Sequence, residues 1–114
     1  MYELIDETLE SYNNYIKNLP SGCQKIADML REDKIVDAMK NTLHFSEGVI
    51  WLMDAVKLFE RNNIKTSLNT TKINEFLSEI NRGIEIEDYI VVADMFEYEI
   101  KPFFEDNQTL TLHC

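Results

Sequence analysis

"YIKNLPSGCQKIADML" occupies residues 15–30. It holds one of the chain's 2 prolines and one of its 3 glycines, the residue types that most often end helices. The apolar residues around Pro20-Ser21-Gly22 nevertheless keep step. Ile16, Leu19, Cys23, Ile26 and Leu30 advance by threes and fours. A loop has no reason to preserve that phase, because only a helix presents the same face every 3.6 residues. Pro20 removes one backbone donor, and its ring meets the carbonyl of Ile16. Ser21-x-x-Gln24 matches a capping box, so a fresh turn can start at Ser21. The stretch predicts a kink, or a very tight break between nearly coaxial helices, and a role in shape rather than in chemistry.

The same stripe extends upstream through Ile5, Leu9 and Tyr12, giving a first helix from about Glu3 to Arg31. "REDK" follows as a polar turn, with Asp33 as the expected N-cap of a second helix over about Lys34 to Asn62. That segment has two apolar stripes. Val36, Met39, Leu43, Ile50 and Met53 form one; Val49, Leu52, Val56 and Phe59 form the other. A helix apolar over so wide an arc is central in its bundle or covered by a partner. "RNNIKTSLNTT" reads as a loop with Thr71 capping a third helix, whose Ile73, Phe76, Leu77 and Ile80 repeat at helical spacing. Arg82-Gly83 reads as that helix's end. Asp88 is the expected N-cap of a last helix with Tyr89, Ala93, Phe96, Ile100 and Phe103 on one face, and Val91, Met95 and Tyr98 on a second. Pro102 is expected to end or kink it.

The fold class is therefore all-α: an antiparallel bundle of three to four helices forming one domain over residues 1–106, with a loose tail over 107–114. A chain of 114 residues suits one domain. With only 3 Gly and 2 Pro there is little material for β-turns. Two arrangements fit the segment lengths. The third and last helices can form one broken rod, so that Pro20, Gly48 and Gly83 fall at one level and make a waist lined by Leu19, Cys23, Phe45, Trp51 and Ile80. Alternatively they fold back on each other as a hairpin.

Charge narrows the partners. The chain carries 21 Asp+Glu against 11 Lys+Arg, a net −10, with no basic cluster, which disfavours nucleic acid and anionic membrane surfaces. No stretch approaches the ~18 uninterrupted apolar residues of a membrane span, and the acidic N-terminus lacks the basic start of a signal peptide. The 2 cysteines, Cys23 on the packing stripe and Cys114 at the end, form no CxxC pair. The expected location is the reducing cytoplasm, with Cys23 a buried thiol.

Chemistry is thinly represented. His44-x-x-Glu47 and Asp94-x-x-Glu97 each place two donors on one helical face, but paired Glu-x-x-His motifs of di-iron bundles run in the opposite order. Nothing pairs Cys23 or Ser46 with a base and an orienting group, and no glycine-rich phosphate loop occurs. No catalytic residue, metal or cofactor is expected, and the chain reads as a non-enzyme. The apolar surplus points to a partner, either another protein or a second copy. Its groove would be Val49, Leu52, Val56 and Phe59 with Val91, Met95 and Tyr98. Met29, Met39, Met53 and Met95 suit an adaptable surface. The other reading is a small-molecule or metal-binding bundle with His44, Glu47 and Trp51 near the site.

"EGVIWLMDAVKLF" (47–59), "NEFLSEI" (74–80) and "EDYIVVADMFEYEIKPFFE" (87–105), with the opening stretch, resemble a group of small, acidic, uncharacterised proteins of low-GC spore-forming bacteria. The resemblance implies a helical bundle and no activity, and the chain departs from it at Pro20. "IADMLREDKIVDAMKNTLHFSEGVIWLMDAV" (26–56) is similar in rhythm to the helical hairpin of flagellar export chaperones. That likeness implies a protein holding an aggregation-prone helical partner along the two double stripes.

Overall fold

The computed structural model describes residues 2–108. Among the described residues, four helical rods form an up-down-up-down bundle: α1 (Tyr2–Arg31), α2 (Ile35–Arg61), α3 (Thr70–Glu85), and a last rod made of α4 (Tyr89–Met95), a π-helical turn (Phe96–Ile100) and α5 (Lys101–Asp106). No strand occurs among the described residues. The longest dimension, 47 Å, is set by α1, whose 30 residues rise about 45 Å. α1 packs along α2 and along the last rod. α3 folds back on the last rod as a hairpin: Phe76 meets Phe103 edge-on at 5.4 Å, and Gly83 faces Val92.

The hairpin replaces the waist. α1 runs through Pro20 without a break, and α2 through Gly48. Gly83 lies inside α3. Gly48 lies under the Tyr15 ring on α1, whereas Gly83 lies against Val92 on the last rod, so the two glycines serve different seams. Leu19, Cys23, Phe45 and Ile80 are buried in the core, while Trp51 is on the surface.

Pro20 is tolerated through help from elsewhere. Its missing N–H leaves the Ile16 carbonyl without its usual helical donor. That carbonyl accepts instead from Gln108 Nε2 at 3.4 Å, where the C-terminal segment returns past α1. Gln108 also donates to the Phe104 carbonyl, and Asn107 Nδ2 to the Phe103 carbonyl at 2.7 Å. Residues 107 and 108 are thus half-buried and tied back, unlike the loose tail expected from 107 onward; residues 109–114, Cys114 included, lie outside the described residues. Ser21 caps nothing: its Oγ donates back to the Asn18 carbonyl at 3.0 Å.

Other termini shift by a residue or two. Asp33 sits at φ 62° in the left-handed region, and Lys34 precedes α2 without a side-chain cap. Asn69, not Thr71, caps α3, accepting from the Lys72 N–H. Asp88 does cap α4, accepting from the Val91 N–H at 3.3 Å. Pro102 neither ends nor leaves the last rod. The turn before it is wound wider, with the Lys101 N–H reaching the Phe96 carbonyl. At such a turn a step of four residues holds one face. Val92, Phe96, Ile100 and Phe104 are all fully buried, and Phe103, expected on the stripe, is only partly so.

The glycines differ in kind. A Cβ on Gly83 would lie 2.5 Å from a methyl of the fully buried, β-branched Val92, whereas one on Gly22 would meet nothing within 4 Å. Gly83→Ala is expected to destabilise by about 1–2 kcal/mol net, overpacking outweighing helix propensity. Gly22→Ala is expected to stabilise by about 0.5–1 kcal/mol. Urea unfolding of the two variants checks the opposite signs.

Candidate interaction surface

The two stripes of α2 exchange roles. Val49, Leu52, Val56 and Phe59, expected to line a partner groove, are core: their exposures are 0, 0, 2 and 0%. Met95 is buried with them, while Val91 and Tyr98 from the same expected groove are exposed. The buried stripe continues through Phe45, Ala38 and Ala55, where small residues let α1 approach and two phenylalanines fill the space. The other stripe stays outside. Val36, Leu43 and Ile50 recur every seven residues at 74, 59 and 49% exposure, with half-buried Met39 and Met53 beside them. It is broken by Ser46 and runs into Lys57, so it cannot supply a continuous core face.

Beside this stripe, the seam between α1 and α2 opens into a cavity of roughly 200 Å³. Tyr15, Leu19, Ile26 and Phe45 provide apolar walls, Asn18, Asn41 and His44 a polar rim, and Gly22 an open edge. Trp51, two turns further along α2, leans edge-on against Tyr15 at a ring separation of 6.3 Å and is 39% exposed. His44 therefore reaches a cavity with Asn18 and Asn41, and Glu47 and Trp51 do not line it. Among the described residues, no group of three or more His, Cys, Asp or Glu is placed to hold a metal ion. Cys23 is a buried thiol, pushed up to about 12 by burial, so it stays protonated and unreactive at neutral pH. Buried Thr42 has no partner for its Oγ1.

A polar network between α1 and the last rod has no counterpart in the sequence expectations. Arg31 bridges Asp94 at 2.9 Å and Glu97 at 2.5 Å, and its guanidinium lies 5.8 Å from the centre of the Tyr98 ring. Gln24 donates to Glu97 and Asp28 and accepts from Lys101. The spacing Asp94-x-x-Glu97, weighed above as a ligand pair, thus serves as a double acceptor for one arginine. Gln24, then Arg31, then Tyr98 hold the Glu97 carboxyl down to about 2, from an ordinary value near 4.5. Because the folded value is the lower one, the stabilisation is complete above pH 4.5 and is lost as the pH falls through about 2. The thermal midpoint of the wild type is expected to exceed that of Glu97→Gln at neutral pH, with the gap closing below pH 4.5. A gap independent of pH would show that the ion pair is not its source.

No helix among the described residues is long and apolar enough to cross a membrane. A family model described as a domain of unknown function (DUF8042) matches residues 7–109, and the chain belongs to that family. Neither the curated proteins nor the solved structures include a match.

Proposed function

We propose that this protein is a non-enzymatic interaction module of the bacterial cytoplasm that offers the outer face of α2 to another protein or to a second copy of itself, as a chaperone or adaptor does. The observation carrying this reading is the row Val36, Leu43 and Ile50, left exposed at seven-residue spacing on a helix whose opposite face is packed into the core. Such a row is the pattern an additional helix reads. In the flagellar-chaperone form of this reading, the held helix lies along α2's outer face, since Val49, Leu52, Val56 and Phe59 are occupied by the core. A photo-crosslinking residue at Leu43, expressed in the native cell, is expected to give a discrete adduct that Val36→Lys with Ile50→Lys abolishes. Absence of any adduct overturns the reading. A second reading, small-molecule binding, is favoured by the cavity under His44. A thermal-shift screen with no hit would dismiss it.

A further inference from the structure

The one tryptophan of the chain and the cavity lie on the same side of α2, seven residues apart when Trp51 is compared with His44. Exposed residues running past both form a single seam: Lys40, Leu43, Glu47, Ile50 and Asp54, stepping three, four, three, four. We propose that the occupant of this seam is a second copy of the chain, paired antiparallel along α2, with Trp51 of each copy seated at the cavity of the other. This rests on the interaction reading above and names its partner.

Three features of the seam choose the same two-fold axis. An antiparallel pair related by a two-fold axis places each residue opposite the one equally far beyond the axis. Setting Trp51 opposite His44, at the cavity rim, puts the axis between Glu47 and Gly48. Setting Lys40 opposite Asp54, so that opposite charges meet, puts it at Glu47. Setting Leu43 opposite Ile50, so that the apolar residues meet, puts it between Ser46 and Glu47. The three positions agree within one residue, about 1.5 Å of helix rise. The seam also differs in charge from the whole chain. Lys40 against Glu47 and Asp54 leaves the seam at a net −1, against a net −10 overall. A cavity of roughly 200 Å³ exceeds the ~150 Å³ space that accepts a benzene ring, so it has room for part of an indole. Two terms oppose pairing: Glu47 meets its own symmetry mate at the axis, and Trp51 gives up part of its edge-on contact with Tyr15.

These details give variants of opposite sign. The wild type, followed by sedimentation equilibrium and by Trp51 emission over a dilution series, is expected to be a dimer that dissociates with a red shift. Leu43→Glu is expected to weaken pairing at least ~tenfold, as loss of a central apolar contact does. Gly22→Leu, whose side chain enters the cavity mouth and meets nothing within 4 Å at its Cβ, is expected to weaken it comparably while melting no lower than wild type. Glu47→Gln is expected to tighten it several-fold by removing the like-charge contact. A monomer at every concentration, with constant emission, overturns self-pairing. So does a dimer indifferent to Leu43→Glu, Gly22→Leu and Glu47→Gln, because it must use another face. If the purified chain is monomeric but the Leu43 crosslinker captures a different protein in the cell, self-pairing fails and the interaction reading stands. If neither pairing nor adduct is found, both fail.

Discussion

Phe96→Ala is expected to destabilise the protein by about 3–5 kcal/mol, the largest effect of any single truncation considered for this chain. Phe96 is fully buried and begins the π-helical turn. Its ring meets Phe45 of α2 edge-on at 5.2 Å, and Phe45 in turn meets Phe104 at 6.3 Å. The side chain thus joins the last rod to α2 across the interior of the bundle. Its removal loses the transfer energy of the ring and leaves a cavity that two rigid helices cannot close. For a domain whose total stability is about 5–15 kcal/mol, that is a large share. Urea unfolding with Phe45→Ala and the double variant should also show coupling of about 0.5–1.5 kcal/mol for the edge-on pair. A loss below about 1 kcal/mol for Phe96→Ala would mean that the last rod is not seated between α1, α2 and α3.

Pro20→Ala is expected to act in the opposite direction, raising stability by about 1–2 kcal/mol. A proline inside a helix costs about 3 kcal/mol through the lost bond and the ring clash. Part of that is offset because proline also restricts the unfolded chain, by about 0.4–1 kcal/mol, and part by the hydrogen bond from Gln108 to the Ile16 carbonyl. The last point makes the prediction specific. Gln108→Ala should cost about 0.5–1 kcal/mol in the wild type. In the Pro20→Ala background the Ile16 carbonyl regains its helical donor, and Gln108→Ala should cost less. A double-mutant cycle measures the difference. If Pro20→Ala leaves stability unchanged or lowers it, the proline is supported by contacts other than this carbonyl exchange.

The α1 stripe was legible because burial there is one-sided and periodic. Ile5, Tyr12, Ile16, Leu19, Cys23, Ile26 and Leu30 are all buried, and the phase argument carried the helix across Pro20. Asp88 was legible as a cap because capping is a local interaction over three residues. The choice between the two stripes of α2 was harder, although a signal was present. Ala38, Thr42, Phe45, Val49, Leu52, Val56 and Phe59 run to the helix's end without a charged residue, whereas the row containing Leu43 and Ile50 contains Ser46 and ends at Lys57. Continuity outranks the number of large side chains, because a helix packs along its whole length. The cavity at Gly22 had no comparable signal. It depends on which residues of α2 face that glycine, and pairing across a seam is not encoded in the spacing of either helix alone.

The sequence by itself determined the helices, their approximate ends and the all-α class, because these follow from interactions within a few residues and from one-sided burial. Tertiary structure alone decided three further features. α3 folds back on the last rod instead of continuing it, because Phe76 finds Phe103 and Gly83 admits Val92. The Ile16 carbonyl is satisfied from a residue far away in the chain. Val36, Leu43 and Ile50, rather than Val49, Leu52, Val56 and Phe59, remain outside. The first and last are choices among partners that are equally apolar in sequence, made by shape in close packing, and the second is a hydrogen bond between distant segments; each becomes defined only when the helices meet.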